Sequence, residues 1–299
     1  MIKIDAQDIR HKLIMYRRSP LSLVLLLLVI SATAITVSVL LFIIGYILVK
    51  GIPNITLNLF AWEYTSENVS LTPVMINTII VMVSALLIAV PLGIFAAVYL
   101  AEYAKRGNKL VEMIRLTTET LAGIPSIIYG LFGLLSFVTA MGWGFSILAG
   151  AFTLAIMILP VIMRTTEEAL KAVPNSYREG SFALGATKLR TVFKIVLPSA
   201  MPGILSGIIL SIGRIVGETA ALLYTAGTVA EIPKNLFSSG RTLSVHMYVL
   251  SSEGLYVNQA YATAVVLLVI VVIINWLSNF MAKRLRKGNG VWERSRSIT

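Results

Sequence analysis

The chain has 299 residues, 57% of them hydrophobic and only 13% charged, which is too little charge to cover a soluble domain of this length. With no cysteine, disulfides, thiolate metal sites and cysteine nucleophiles are excluded. The net charge of +11 comes with no aromatic-basic module, so it is ascribed to the loops of a membrane protein and not to nucleic-acid binding.

Residues 1–20 form a polar arm bearing Lys3, Arg10, Lys12, Arg17 and Arg18. Leu21 to Val49 carries no charge. It is too long for a signal-peptide core and lacks a small-residue cleavage site, so it is expected to remain as the first span, 21–49. An outer segment, Gly51 to Ser70, leads into a second span at about 74–100, with Pro91 inside it. A basic segment with Lys105, Arg106, Lys109 and Arg115 follows. Leu121 to Met163 is uncharged and long enough for two helices, at about 121–140 and 145–163. Met141-Gly142-Trp143-Gly144 supplies the turn between them. Pro125 and Ser126 either start a helix or open the backbone of the third span. A polar loop, 164–202, precedes a fifth span at about 203–224. A second outer segment, Ala226 to Asn258, is long enough to hold short helices of its own. The sixth span, about 260–281, completes a transmembrane domain over 21–281, and a basic tail, 282–299, ends the chain. His11 and His246 are too far apart in sequence to suggest a metal cluster.

Loop charge sets the topology. Apart from Lys50, Lys234, Arg241 and Arg214, every lysine and arginine falls in the N-terminal arm, the 2–3 segment, the 4–5 loop or the tail. This asymmetry predicts an all-α, six-span protein with both termini in the cytoplasm.

Arg214 breaks the apolar pattern of the fifth span, and Glu218 follows four residues later. A charge at bilayer depth costs roughly 2.5–3.5 kcal/mol on insertion scales, so such residues usually face a bundle interior or a pathway. Helical spacing predicts Gly207, Ser211, Arg214 and Glu218 along one face. An intrahelical ion pair is the simpler account, but Arg before Glu is the weaker order, and buried pairs add little net stability. A guanidinium also offers planar, bidentate donors to an oxyanion. Ser211, Arg214 and Glu218 are therefore candidate pathway residues, with Glu218 open to both readings. Gly213 and Gly217 have the small-x-x-x-small spacing of a close helix contact, in this chain or with a second one.

In the 4–5 loop, Ser176 and Glu179 fit a capping box for a short helix running to Leu184, and Gly185 suits its left-handed end. Thr187 can cap a second short helix. Such an elbow is either an interfacial hairpin or a seat for another protein. Its residues favour the second. Glu179-Gly180-Ser181, three residues, Gly185, nine residues and Ile195-Val196-Leu197-Pro198 resemble the cytoplasmic-loop signature of ABC-importer permeases. The chain has Gly180-Ser181 where that signature has two alanines.

Leu121 to Gly130, Arg164 to Leu170 and Gly213 to Ala220 extend the resemblance to the permeases of phosphate importers. The stretch after Glu218 is more similar to the PstA-type subunit than to its PstC-type partner. The resemblance implies the type I ABC importer fold in a bacterial or archaeal cytoplasmic membrane. It also implies a complex with a second permease, two ATPase subunits and an extracytoplasmic phosphate-binding protein. Glu179, Gly180, Ser181, Ala183, Leu184, Gly185 and Ala186 would couple to the ATPase. No Gly-x-x-x-x-Gly-Lys-Ser/Thr loop is present, so this chain is expected to be no enzyme and to hold no cofactor, with ATP and magnesium on the partner ATPase. The alternatives are a permease for molybdate, sulfate or phosphonate, or a passive channel or scaffold. A docking elbow argues against the last.

Overall fold

Helix α1, Pro20–Gly51, is apolar all round over 32 residues, about 48 Å at 1.5 Å per residue, which is ample to cross a hydrocarbon core of about 30 Å. The computed structural model describes residues 20–105 and 107–294, all helix, turn or irregular backbone with no strand among them. Most of the N-terminal arm, Arg106 and the last five residues of the tail lie outside the described residues. The chain divides into two compact units, residues 1–50 and 51–299.

The second unit begins with two short 3-10 turns at Ile52–Asn54 and Leu57–Phe60. Helix α2, Thr72–Val98, carries Pro91 and widens into a π-turn at Tyr99–Tyr103. Helix α3 is Lys109–Ala122. Helix α4, Ser126–Gly133, runs on through a π-turn at Leu134–Ala140. Helix α5 is Ile147–Lys171, and the elbow helices α6 and α7 are Asn175–Ala183 and Lys188–Thr191. A π-turn, Val192–Val196, joins α7 to α8, Leu197–Val216. Helices α9, Ala220–Leu223, α10, Leu243–Glu253, and α11, Val257–Arg294, complete the order.

Helix α5 is the hub. It packs against α2 on one side and α8 on another. Its Leu154, Met157, Ile158 and Ile162 are fully buried with Val81 and Ala85 of α2. An apolar surface on every side suits a helix surrounded by other helices. Glycine allows the close approaches: a Cβ on Gly93 would strike Ile162, and one on Gly207 would overlap the Thr165 hydroxyl. The predicted glycine turn also forms, with Gly142 and Gly144 at φ +69° and +64°.

Two spans depart from expectation. The third is broken: α3 and the helix of residues 126–140 meet at 102°. Pro125 lacks an amide hydrogen and disfavours helical geometry at Ile124, so the helix stops and restarts at Ser126. The fifth was expected at 203–224. The helix instead runs from Lys188 to Val216 and stops at Gly217.

Candidate functional site

The depth of that stop follows from helix register. Gly203 faces Ala169 and Gly207 faces Thr165, so α8 runs antiparallel to α5. Seven residues further along α8, Arg214 is level with Ile158, about 16 Å from the first residue of α5 and about 20 Å from its last. Ile215 accordingly packs in one cluster with Leu154 and Ile158. Arg214 thus lies level with the apolar stretch 147–163 of α5, about 8 Å from its Met163 end, in the last turn of a helix that ends inside the span. The position suits a cation, since the unpaired carbonyls at a helix C-terminus carry partial negative charge.

Arg214 and Glu218 do not share a helical face. Glu218 lies beyond the helix end, is 8% exposed, and accepts a hydrogen bond from the Ala221 amide at 3.0 Å. Its carbonyl accepts from the Ser244 hydroxyl at 2.5 Å. The carboxylate therefore stabilises the start of α9 and forms no ion pair with Arg214. Arg214 is half-buried and makes no ion pair or hydrogen bond with another described side chain, though it lies within electrostatic range of the Tyr129 phenol on α4. Ser211 is fully buried, and its hydroxyl returns to the Gly207 carbonyl at 3.0 Å. Among the described residues beyond its own turn of helix, none stands within 4 Å of a Cβ placed on Gly213, while one on Gly217 meets the Gly213 carbonyl at 3.6 Å. Within the described residues the close contacts of α8 with α5 run through Gly203 and Gly207, which leaves Gly213 and Gly217 open to a second chain.

Residues 217–219 are thus irregular backbone at membrane depth, which is tolerated only inside protein or along a watery cavity. The segment beyond them is pinned by groups the sequence reading did not single out. The first amides of α5 and the residue before it, on Ser146, Ile147 and Leu148, donate to the carbonyls of Thr225, Ser238 and Leu236 at 3.0, 3.0 and 2.8 Å. Asn77, fully buried in α2, donates to the Glu231 and Arg241 carbonyls at 3.0 and 3.2 Å. The neighbouring Thr78 hydroxyl accepts from the Leu243 amide at 3.0 Å. Asn77-Thr78 inside an apolar run was the available signal. Arg241 sits over the Tyr64 ring and lies 3.2 Å from Nδ1 of His246. His246 is fully buried, and burial, then the Arg241 charge, pulls its pKa down to about 3. The imidazole is therefore neutral, with Nδ1 accepting from the guanidinium.

At the opposite end of the bundle the elbow forms with one change. The Ser176–Glu179 capping box is not made; α6 starts straight after Pro174. Gly185 is left-handed at φ +79°, as the turn requires, and Thr187 accepts from the Arg190 amide at 3.4 Å. Glu179, Gly180, Ala183, Leu184 and Gly185 are exposed and Ala186 is half-buried. Ser181 faces inward, 2.8 Å from the Thr191 hydroxyl, and ties the two elbow helices together. The elbow also exposes Tyr177, Phe182 and Leu189, with Leu184 at 90%. Such a cluster of exposed large apolar side chains on a polar loop suits contact with either another protein or the membrane interface.

The family described as binding-protein-dependent transport system inner membrane component matches residues 89–287, from the middle of α2 through most of α11. The chain belongs to this family. Among its relatives, a probable ABC transporter permease protein of Bacillus subtilis (strain 168), YqgI, is 34% identical over 274 residues, covering 84% of this chain and 93% of that one. The phosphate transport system permease protein PstA of Xylella fastidiosa (strain 9a5c) is 34% identical over 259 residues, covering 82% and 90%. Among solved structures, a bacterial alginate ABC transporter in complex with an alginate pentasaccharide-bound periplasmic protein aligns with TM-score 0.67 at 15% identity, over 90% of this chain and 97% of that chain. This inner membrane component is therefore a multi-pass permease subunit of an ABC importer that works with other components of the transporter. It is not an enzyme; ATP hydrolysis belongs to a separate subunit.

Proposed function

We propose that this permease forms half of the pathway of an inorganic phosphate importer and that Arg214 meets the anion in transit. The observation carrying the proposal is a guanidinium with no ion pair or hydrogen bond to another described side chain, at a helix end inside the apolar part of the span, beside a break in the backbone. A charge that costs this much to bury and has no side-chain partner among the described residues is accounted for by a ligand that visits it. The names of the PstA relatives support phosphate as that ligand. Glu218 holds open the break beside Arg214 by capping α9. Its negative charge nearby limits how tightly the anion is held, and transport requires release.

The second permease supplies the other half of the pathway, and a phosphate-binding protein delivers the ion from outside. The elbow seats in one of two ATPase subunits, which hold ATP and magnesium. Rigid-body movement of that seat then switches the spans between two packed arrangements. The clustering of positive charge at the elbow end, in the arm and in the tail supports a cytoplasmic position for all three.

Uptake of radiolabelled phosphate, with molybdate, sulfate and a phosphonate as competitors, tests the cargo. Arg214→Gln is expected to abolish uptake while the complex still assembles, and Arg214→Lys to recover only part of it, because an ammonium lacks the bidentate fork. Normal uptake by Arg214→Gln would remove this residue from the pathway. Gly185→Trp, strained at φ +79°, is expected to lose the ATPase on affinity purification; full retention would refute the elbow's role.

A further inference from the structure

Helices α5 and α6 are joined covalently only through residues 172–174, ending in Pro174. Unaided, such a joint would bend, and movement of the elbow would be lost in it. Arg178, at 17% side-chain exposure, closes it. Its Nε and Nη2 grip Oε1 of Glu102 at 3.1 and 2.6 Å, with Oε2 at 3.4 Å from Nε. Nη2 also donates to the Leu170 carbonyl at 2.9 Å. Nη1 donates to the Val173 carbonyl at 2.8 Å and lies 3.4 Å from Oδ1 of Asn175. One guanidinium thus ties together the π-turn that ends α2, the end of α5 and the first turn of α6.

We infer that Arg178 and Glu102 are positioning residues whose clamp makes the elbow, the foot of α2 and the end of α5 a single rigid body that stays closed through the transport cycle. The inference rests on the reading that the elbow seats in the ATPase. Three observations support a mechanical role. The pair is shielded from water, so it is not screened away as exposed pairs are. A buried ion pair adds little net stability, yet it fixes geometry through directional, charge-assisted bonds. A second link runs beside it, with the Lys188 ammonium 5.0 Å above the Tyr103 ring. Together with the Ser181–Thr191 hydrogen bond inside the elbow, these contacts brace the three-residue joint from both sides.

The chain has no cysteine, which permits a direct test with Glu102→Cys/Arg178→Cys in the full complex with cysteine-free partner subunits. In vesicles this double variant is expected to retain the ATPase and hydrolyse ATP, but to move roughly tenfold less phosphate per ATP. Bridging the two thiols with a short bismaleimide is expected to restore most of that coupling, a rescue that a merely stabilising pair would not show. Full coupling without the bridge, failure of the bridge to restore it, or loss of the ATPase from the double variant would each overturn the inference. Gly185→Trp separates the two levels. If it keeps the ATPase, the docking reading fails and this inference fails with it. If it loses the ATPase while the unbridged double variant transports normally, only the clamp is refuted.

Discussion

Arg214 and Gly207 are on the same helix, seven residues apart, and their side chains answer to different constraints. At Gly207 the constraint is steric, since any Cβ would overlap the Thr165 hydroxyl of α5. Gly207→Val is expected to lower the unfolding free energy in detergent by about 1–3 kcal/mol through overpacking. Gly213→Ala, with nothing within 4 Å among the described residues beyond its own helical turn, is expected to cost nothing in the isolated subunit. A loss with Gly213→Ala seen only in the assembled complex would place the partner permease against it. At Arg214 the constraint is electrical. Composition and depth marked it from sequence, because an arginine in an apolar run is costly wherever the helix points. What Glu218 does was not legible. Spacing of four residues implied a shared face, but the helix ends between the two, and the carboxylate satisfies an amide instead of the guanidinium.

At the scale of elements, the broken span and the irregular segment after it depend on a few buried polar groups. The Arg241–His246 contact is one that pH can test. Free histidine titrates near 6.5, whereas folded His246 does so at about 3. Between these values the unfolded chain takes up a proton that the folded chain refuses. Stability contributed above pH 6.5 is therefore lost as pH falls towards 3, by at most about 1.4 kcal/mol per pH unit. Thermal unfolding of the wild type between pH 7 and pH 5 is expected to show this slope and His246→Gln to flatten it; equal slopes would mean the imidazole is not held neutral. The elbow was more legible than this outer segment. Its glycine, its threonine cap and its prolines act locally, and local signals survive in sequence, although the expected capping box gave way to a helix start after Pro174.

For the whole molecule, the elbow and the segment between α10 and α11 lie at opposite ends of the helices that join them. Leu184 is 90% exposed and Leu255 is 79% exposed, and no native thiol competes. With the proposed orientation, Leu184→Cys is expected to react with an impermeant maleimide only in inside-out vesicles and Leu255→Cys only in right-side-out ones. The reverse pattern would invert the topology and the direction of transport.

Length, hydropathy and loop charge were enough to read an all-helical chain of six spans, and the elbow's spacing with the Arg214 stretch was enough to suggest an importer permease. These features repeat along the chain or lie within one or two helical turns, so they can be read one segment at a time. Where the fifth helix stops, how the third bends and what Asn77, Glu218 and Arg178 hold were settled only by tertiary structure. Each depends on a hydrogen bond or a close approach between segments far apart in sequence. The partner of a buried polar group is chosen by whichever backbone the fold brings to it, and that choice leaves no periodic trace in the sequence.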